Sequence, residues 1–236
     1  MEPSSKPLDP RQLPVLLRGE ATSIGEWSES RANTRVLFQL VVITLGAGLF
    51  GASVGCWRDP QQSLFLAIKL PLILTLTAAG NGLINGMLAP LLGLNISFRQ
   101  SLLLVLMSFT IAALILASFS PIVFFMIWNT PTTETSGSAF YFILLANVAI
   151  IAFAGVAASV RLFALLHRLG GDRQVAKKVL FAWLAGNLFL GAQISWNLRP
   201  FIGSPEMDVQ FMRDDAFAGT FYESIFRVIQ GLLTRI

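Results

Sequence analysis

The chain has 236 residues, 54% of them hydrophobic and only 13% charged, with a formal charge of +4. Globular domains carry about a quarter charged residues, so this composition excludes an ordinary soluble domain and makes lipid the main solvent. Lys and Arg gather in a few connections, which points to membrane topology and anionic lipid and away from nucleic acid.

Residues 1–14 are rich in Pro, Ser and charge and read as a flexible cytoplasmic tail. They lack the short apolar core of a signal peptide, so the first span is expected to act as an uncleaved anchor. Residues 15–29 mix Leu16, Leu17, Ile24 and Trp27 with Arg18, Glu20, Glu26 and Glu29, the pattern of a short interfacial helix. Residues 36–55 form the first span, since about twenty residues at 1.5 Å rise cross the hydrocarbon core. Gly46, Gly48, Gly51 and Gly55 in its second half read as close helix packing.

The second span, residues 63–88, holds Lys69, then Pro71, then Asn81 and Asn85. Lys69 is expected to snorkel outward along the lipid rather than face a protein interior. Pro71 is expected to kink or break the helix, and the Gly-rich stretch up to Pro90 to unwind it. Asn81 and Asn85, four residues apart on one face, should hydrogen-bond to a neighbouring helix.

The third span, residues 101–128, is interrupted in sequence by Ser120 and Pro121, and tilt or a kink should absorb its length. Residues 129–139 contain no Lys or Arg and read as an exported loop. The fourth span, residues 140–162, carries Asn147 and a small-residue end at Gly155, Ala157, Ala158 and Ser159 expected to pack closely. Residues 161–178 then collect Arg161, His167, Arg168, Arg173, Lys177 and Lys178, which reads as a cytoplasmic connection with His167 a solvated loop residue. The fifth span, residues 179–196, carries Asn187 and Gln193.

Residues 191–205, GAQISWNLRPFIGSP, mark an exit from the membrane, where Pro200, Gly203 and Pro205 force the backbone out of helical geometry. Trp196, Arg199 and Phe201 put two aromatics and a cation together at headgroup depth. Trp196, Arg199, Pro200, Phe201, Gly203 and Pro205 are therefore the candidate residues for docking a partner or lipid headgroups. In the tail, Phe217, Phe221, Ile225, Leu232 and Ile236 recur at helical spacing, giving an amphipathic helix on the outer face or against a partner.

The expected fold is all-α: an integral membrane helical bundle of about five transmembrane helices with flanking interfacial amphipathic helices. Its expected parts are a cytoplasmic tail and interfacial helix at 1–35, the membrane domain at 36–196, and an outer-side turn and helix at 197–236. Charge asymmetry puts the N-terminus in the cytoplasm.

The order of IKLPLILTLT in the second span, SPIVFF in the third, YFILLANV in the fourth and WNLRPFIGSP after the fifth resembles a functionally uncharacterised family of bacterial multi-pass membrane proteins. Its arrangement is similar to that of the Yip family of trafficking-related membrane proteins. The resemblance covers nearly the whole membrane region, with WNLRPFIGSP its most specific part, and TAAGNGLINGM in the second span departs from it. It implies a multi-pass protein of the bacterial inner membrane and brings no activity with it.

Enzyme chemistry lacks its parts in this sequence. No span contains Asp or Glu for an aspartic protease, and His167 has no Cys or acidic companion with ligand spacing for a metal. With one cysteine, Cys56, neither a disulfide nor a thiolate cluster can form within the chain. No Walker-type loop or pair of axial ligands is present. The sequence therefore reads as a non-enzyme without cofactor or metal. Two readings remain: a membrane subunit or scaffold contacting lipids and other membrane subunits or copies of itself, or a channel or transporter. In the second, Lys69, Asn81, Asn85, Asn147, Asn187 and Gln193 line a polar path; a transporter normally shows paired broken helices and internal repeats, which favours the first.

Overall fold

Each apolar run folds as one long helix because, in hydrocarbon, only a helix satisfies its own backbone donors and acceptors. A computed structural model describes residues 32–57, 59–130, 137–170, 172–201 and 208–233. Its helices are α1 (Ala32–Gly55), α2 (Pro60–Leu91), α3 (Phe98–Trp128), α4 (Gly137–Gly170), α5 (Arg173–Asn197) and α6 (Phe221–Leu233). The first five are long and apolar enough to cross a membrane. The interfacial helix expected at 15–29 lies outside the described residues, as do Gly203 and Pro205.

Local chemistry sets the helix ends. Asp59 caps α2 by accepting from Gln61 N at 2.7 Å, with Pro60 next to it at the start of the helix, where a missing N–H costs nothing. Ser97 and Gln100 form a reciprocal capping box on α3. Gly93, at φ +93°, ends α2 in the left-handed conformation, with Leu94 N donating to Ala89 O at 2.9 Å.

The break or unwinding expected in the second span is corrected. α2 runs without interruption through Pro71 and the glycines to Leu91, and α3 runs through Pro121 to Trp128. A proline removes one helical donor without ending the helix here. The carbonyl left over by Pro71, that of Ala67, lies against Gly48 of α1, where a Cβ would sit 3.2 Å away. A second correction concerns α4, which continues eight residues beyond Leu162, to Gly170. The basic stretch is helical because Ala158, Leu162, Leu165 and Leu166 extend one buried face at helical spacing. His167 is thus on a helix, half-buried and stacked on Phe163 with ring centroids 6.3 Å apart, and is no solvated loop residue.

Helices α1, α2 and α3 pack against one another as a triangle, while α4 packs on α3 and α5, and α5 on α2 and α4. The triangle is tight because α1 presents glycines to two neighbours: a Cβ on Gly51 would overlap the Leu66 carbonyl of α2, and one on Gly46 would sit 2.6 Å from the Ala113 carbonyl of α3. The close approach expected at Gly155 is absent; nothing lies within 4 Å of a Cβ there, and Ala154 and Ala158 carry that packing instead. About half of the apolar window of α1 and of α3 is buried, against 22% for α4 and 11% for α5, so those two present most of their surface to lipid. Gly55, Pro60, Trp128, Gly137 and Asn197 gather at one end of the bundle, called here the turn end. The other, basic end carries Arg99, Arg161, Arg168, Arg173, Lys177 and Lys178.

Candidate docking site at the turn end

Helix α2 presents Gln62, Phe65 and Lys69 on one face, at spacings of three and four residues. The chain that leaves α5 folds across this face. Gln62 Nε2 donates to Phe201 O, and Lys69 Nζ donates to Pro200 O at 2.5 Å, so two donors two turns apart hold consecutive carbonyls. The Arg199–Pro200 peptide bond is cis. Phe65 meets the edge of Phe211 with centroids 5.4 Å apart, and the Lys69 ammonium lies 5.1 Å from the Phe211 ring and 6.0 Å from that of Phe201.

Lys69 has 0% of its surface exposed, which corrects the snorkelling expectation. Side chains lean toward the N-terminus of their helix, and the N-terminus of α2 is at the turn end. Lys69 therefore does reach toward that end, but through the protein rather than along the lipid. Its ammonium is held by a carbonyl and two aromatic faces, with no carboxylate against it among the described residues.

Arg199 turns to the opposite side of the same segment. Its guanidinium stacks on Trp196 at 3.0 Å from the ring centroid, and its Nε donates to Trp196 O at 3.1 Å. Phe201, the other ring expected to bracket it, faces Lys69 instead. Arg213 approaches the same indole at 5.7 Å and pairs with Asp215 at 3.5 Å. Burial, and then repulsion from Arg213, hold the Arg199 guanidinium below its usual pKa, with Asp215 acting the other way.

The last turns of α5 also carry α6. Gln193 Oε1 accepts from Phe221 N at 3.1 Å while its Nε2 donates to Asn197 Oδ1 at 2.9 Å. Gln193 thus joins α5 to α6. Tyr222 stacks on Phe189 at 4.9 Å and donates to the Phe189 carbonyl at 2.6 Å; burial raises the pKa of this phenol. Thr220 and Glu223 cap α6 reciprocally, Thr220 N to Glu223 Oε2 at 3.2 Å and Glu223 N to Thr220 Oγ1 at 3.1 Å.

The remaining amides lie deeper and bond within the bundle. Asn81 Nδ2 donates to Trp183 O at 3.1 Å and to Asn187 Oδ1, both on α5, and Asn85 Nδ2 donates to Asn81 Oδ1 at 2.6 Å. Gly186 makes room, since a Cβ there would overlap Asn81 Oδ1. The expected interhelical bond is present for Asn81, whereas Asn85 reaches only its own helix-mate. Asn147 Nδ2 turns back to Ile143 O at 2.8 Å on its own helix.

The structure therefore brings Trp196, Arg199, Pro200, Phe201 and Lys69 into one assembly and keeps Asn81, Asn85 and Asn147 out of it. Sequence reasoning missed Gln62, Phe211 and Arg213. Gln62 could have been found from its spacing of seven residues to Lys69, whereas Phe211 and Arg213 depend on where the tail returns. Compared with protein-family models, curated proteins and solved structures, the chain matches none.

Proposed function

We propose that this chain is a non-catalytic subunit or scaffold of the bacterial inner membrane that docks a partner protein or lipid headgroups through the turn at 196–201. The observation that carries the reading is the pairing of Gln62 and Lys69 with the carbonyls of Phe201 and Pro200. This pairing commits Lys69, a buried cation inside α2, to fixing the turn rather than to lining a passage. The amides support the same reading: Asn81 bonds across to Asn187 and the Trp183 carbonyl as interhelical glue, each bond worth about 0.6 to 2 kcal/mol, while Asn85 and Asn147 bond within their own helices. Membership of the Yip-like bacterial family is part of this proposal and rests on the WNLRPFIGSP run.

The test has two arms. Capture in mild detergent should retain a stoichiometric partner or lipid, lost with Arg199→Ala and kept with Asn85→Leu. A specific flux through the purified protein alone in liposomes, abolished by Asn85→Leu, would overturn the proposal in favour of a channel or transporter. The proposed orientation puts the basic end in the cytoplasm. Reporter fusions at Ser136 and Asp172 should then report opposite sides, and labelling of both from one side would refute it.

A further inference from the structure

We infer that Trp196, Arg199 and Arg213 form a binding site for a phosphate group. The inference rests on the docking reading in so far as it names a ligand for the same turn. Four N–H donors in this cluster are shielded from solvent and have no acceptor among the described residues: Trp196 Nε1, Arg199 Nη2, and Arg213 Nε and Nη2. Buried donors are paired in the great majority of folded proteins, and donors on charged groups are the costliest to leave open. Here they are concentrated on two guanidinia that share one indole, at 3.0 and 5.7 Å from its centroid.

Charge gives the sign of the missing group. Arg199 and Arg213 lie closely enough to repel, and among the described residues Asp215, paired with Arg213 at 3.5 Å and attracting Arg199 as well, sets one negative charge against their two positive ones. The cluster thus keeps one positive charge in surplus. Geometry gives the class, because a guanidinium is a planar fork that matches pairs of phosphate oxygens, and two forks with an indole N–H suit a tetrahedral anion with several acceptors better than a carboxylate with two oxygens. The site stands just past the end of α5, Asn197, where a spanning helix meets the headgroups. The phosphate can come from an anionic phospholipid or from solution.

The test uses the full chain purified in a phosphate-free maltoside detergent, with phosphatidylglycerol or inorganic phosphate added separately, followed by native mass spectrometry and thermal melting. The expected result is one phosphatidylglycerol retained per chain and a raised melting temperature, with binding weakened about tenfold or more in the double variant Arg199→Gln/Arg213→Gln. Arginine-dependent binding of inorganic phosphate without retained lipid would assign the same site to a free anion. If neither probe binds in an arginine-dependent way, the inference is wrong. The variant Arg199→Lys/Arg213→Lys keeps the charge and loses the forks, so it should fold and still bind more weakly, which covers the case in which the Gln variant misfolds. A protein partner captured by the wild type and lost with Arg199→Ala, with neither phosphate probe bound in an arginine-dependent way, would remove this inference and leave the docking reading in place. Phosphate binding that persists while no partner or lipid is ever captured would do the reverse.

Discussion

The bundle handles polar groups in two opposite ways. Between α2 and α5 the groups are neutral and their amide N–H groups close on one another, Asn85 donating to Asn81 and Asn81 to Asn187 and the Trp183 carbonyl, with Asn85 Oδ1 and Trp183 Nε1 left open among the described residues. At the turn end the groups are cations, and they close only in part. Lys69 finds one carbonyl and Arg199 one carbonyl and one ring, while four N–H groups of Trp196, Arg199 and Arg213 find no acceptor among the described residues. The difference separates adhesion from recognition. A ladder of mutually bonded amides fixes two helices and offers a ligand little, whereas a cluster left with surplus charge and open donors is arranged for something else to complete it.

The largest expected effect breaks the inner region alone. Trp183 is fully buried and sits opposite Asn81, so Trp183→Ala removes its ring from the core and loosens the contact that presents its carbonyl. The loss should be about 3–5 kcal/mol, as for other buried large-to-small changes. Thermal melting in detergent should show it, while a limited digest of the tail below the transition should match the wild type. Early release of the tail in this variant would mean that the two regions are not independent.

A smaller effect of unusual sign is expected at Lys69. Lys69→Met keeps the length of the side chain and removes a buried ammonium together with its desolvation cost, while Pro200 O loses its donor. The melting temperature of the bundle should therefore stay level or rise, even as protease reaches the segment after α5 more readily. A large fall in melting temperature would show that the lysine supports the bundle rather than the turn.

These two residues also show what the sequence could tell. The five spans were legible because length and hydropathy decide whether a helix can cross a bilayer, and that choice is made within each segment. The extension of α4 to Gly170 was legible too, in the spacing of Leu162, Leu165 and Leu166, but the six basic residues from Arg161 to Lys178 concealed it. Lys69 was not legible, because its environment is created by Pro200, Phe201 and Phe211, more than a hundred positions away. No local pattern says which helix face a returning tail will cover. The same holds for Arg213, which reads as an ordinary charge in a polar stretch until the fold sets it on the indole of Trp196.

The finest test asks whether the outer cluster depends on the shape of its cation or only on its charge. Arg199 contributes a flat group stacked at 3.0 Å from the Trp196 centroid and a bond from Nε to the Trp196 carbonyl. Arg199→Lys keeps the charge, but an ammonium on a flexible stem cannot lie flat on the ring while one edge bonds the carbonyl and the other presents a fork. The stacking is worth about 0.5–2 kcal/mol, and a lysine should keep part of it. The bundle should melt as the wild type does, since this contact lies outside the core, and the tail should become modestly more accessible to protease. Arg199→Ala, which loses charge and stack together, should expose it further. If all three proteins protect the tail equally, Arg199 is not an anchor, and the turn is held by Gln62 and Lys69 alone.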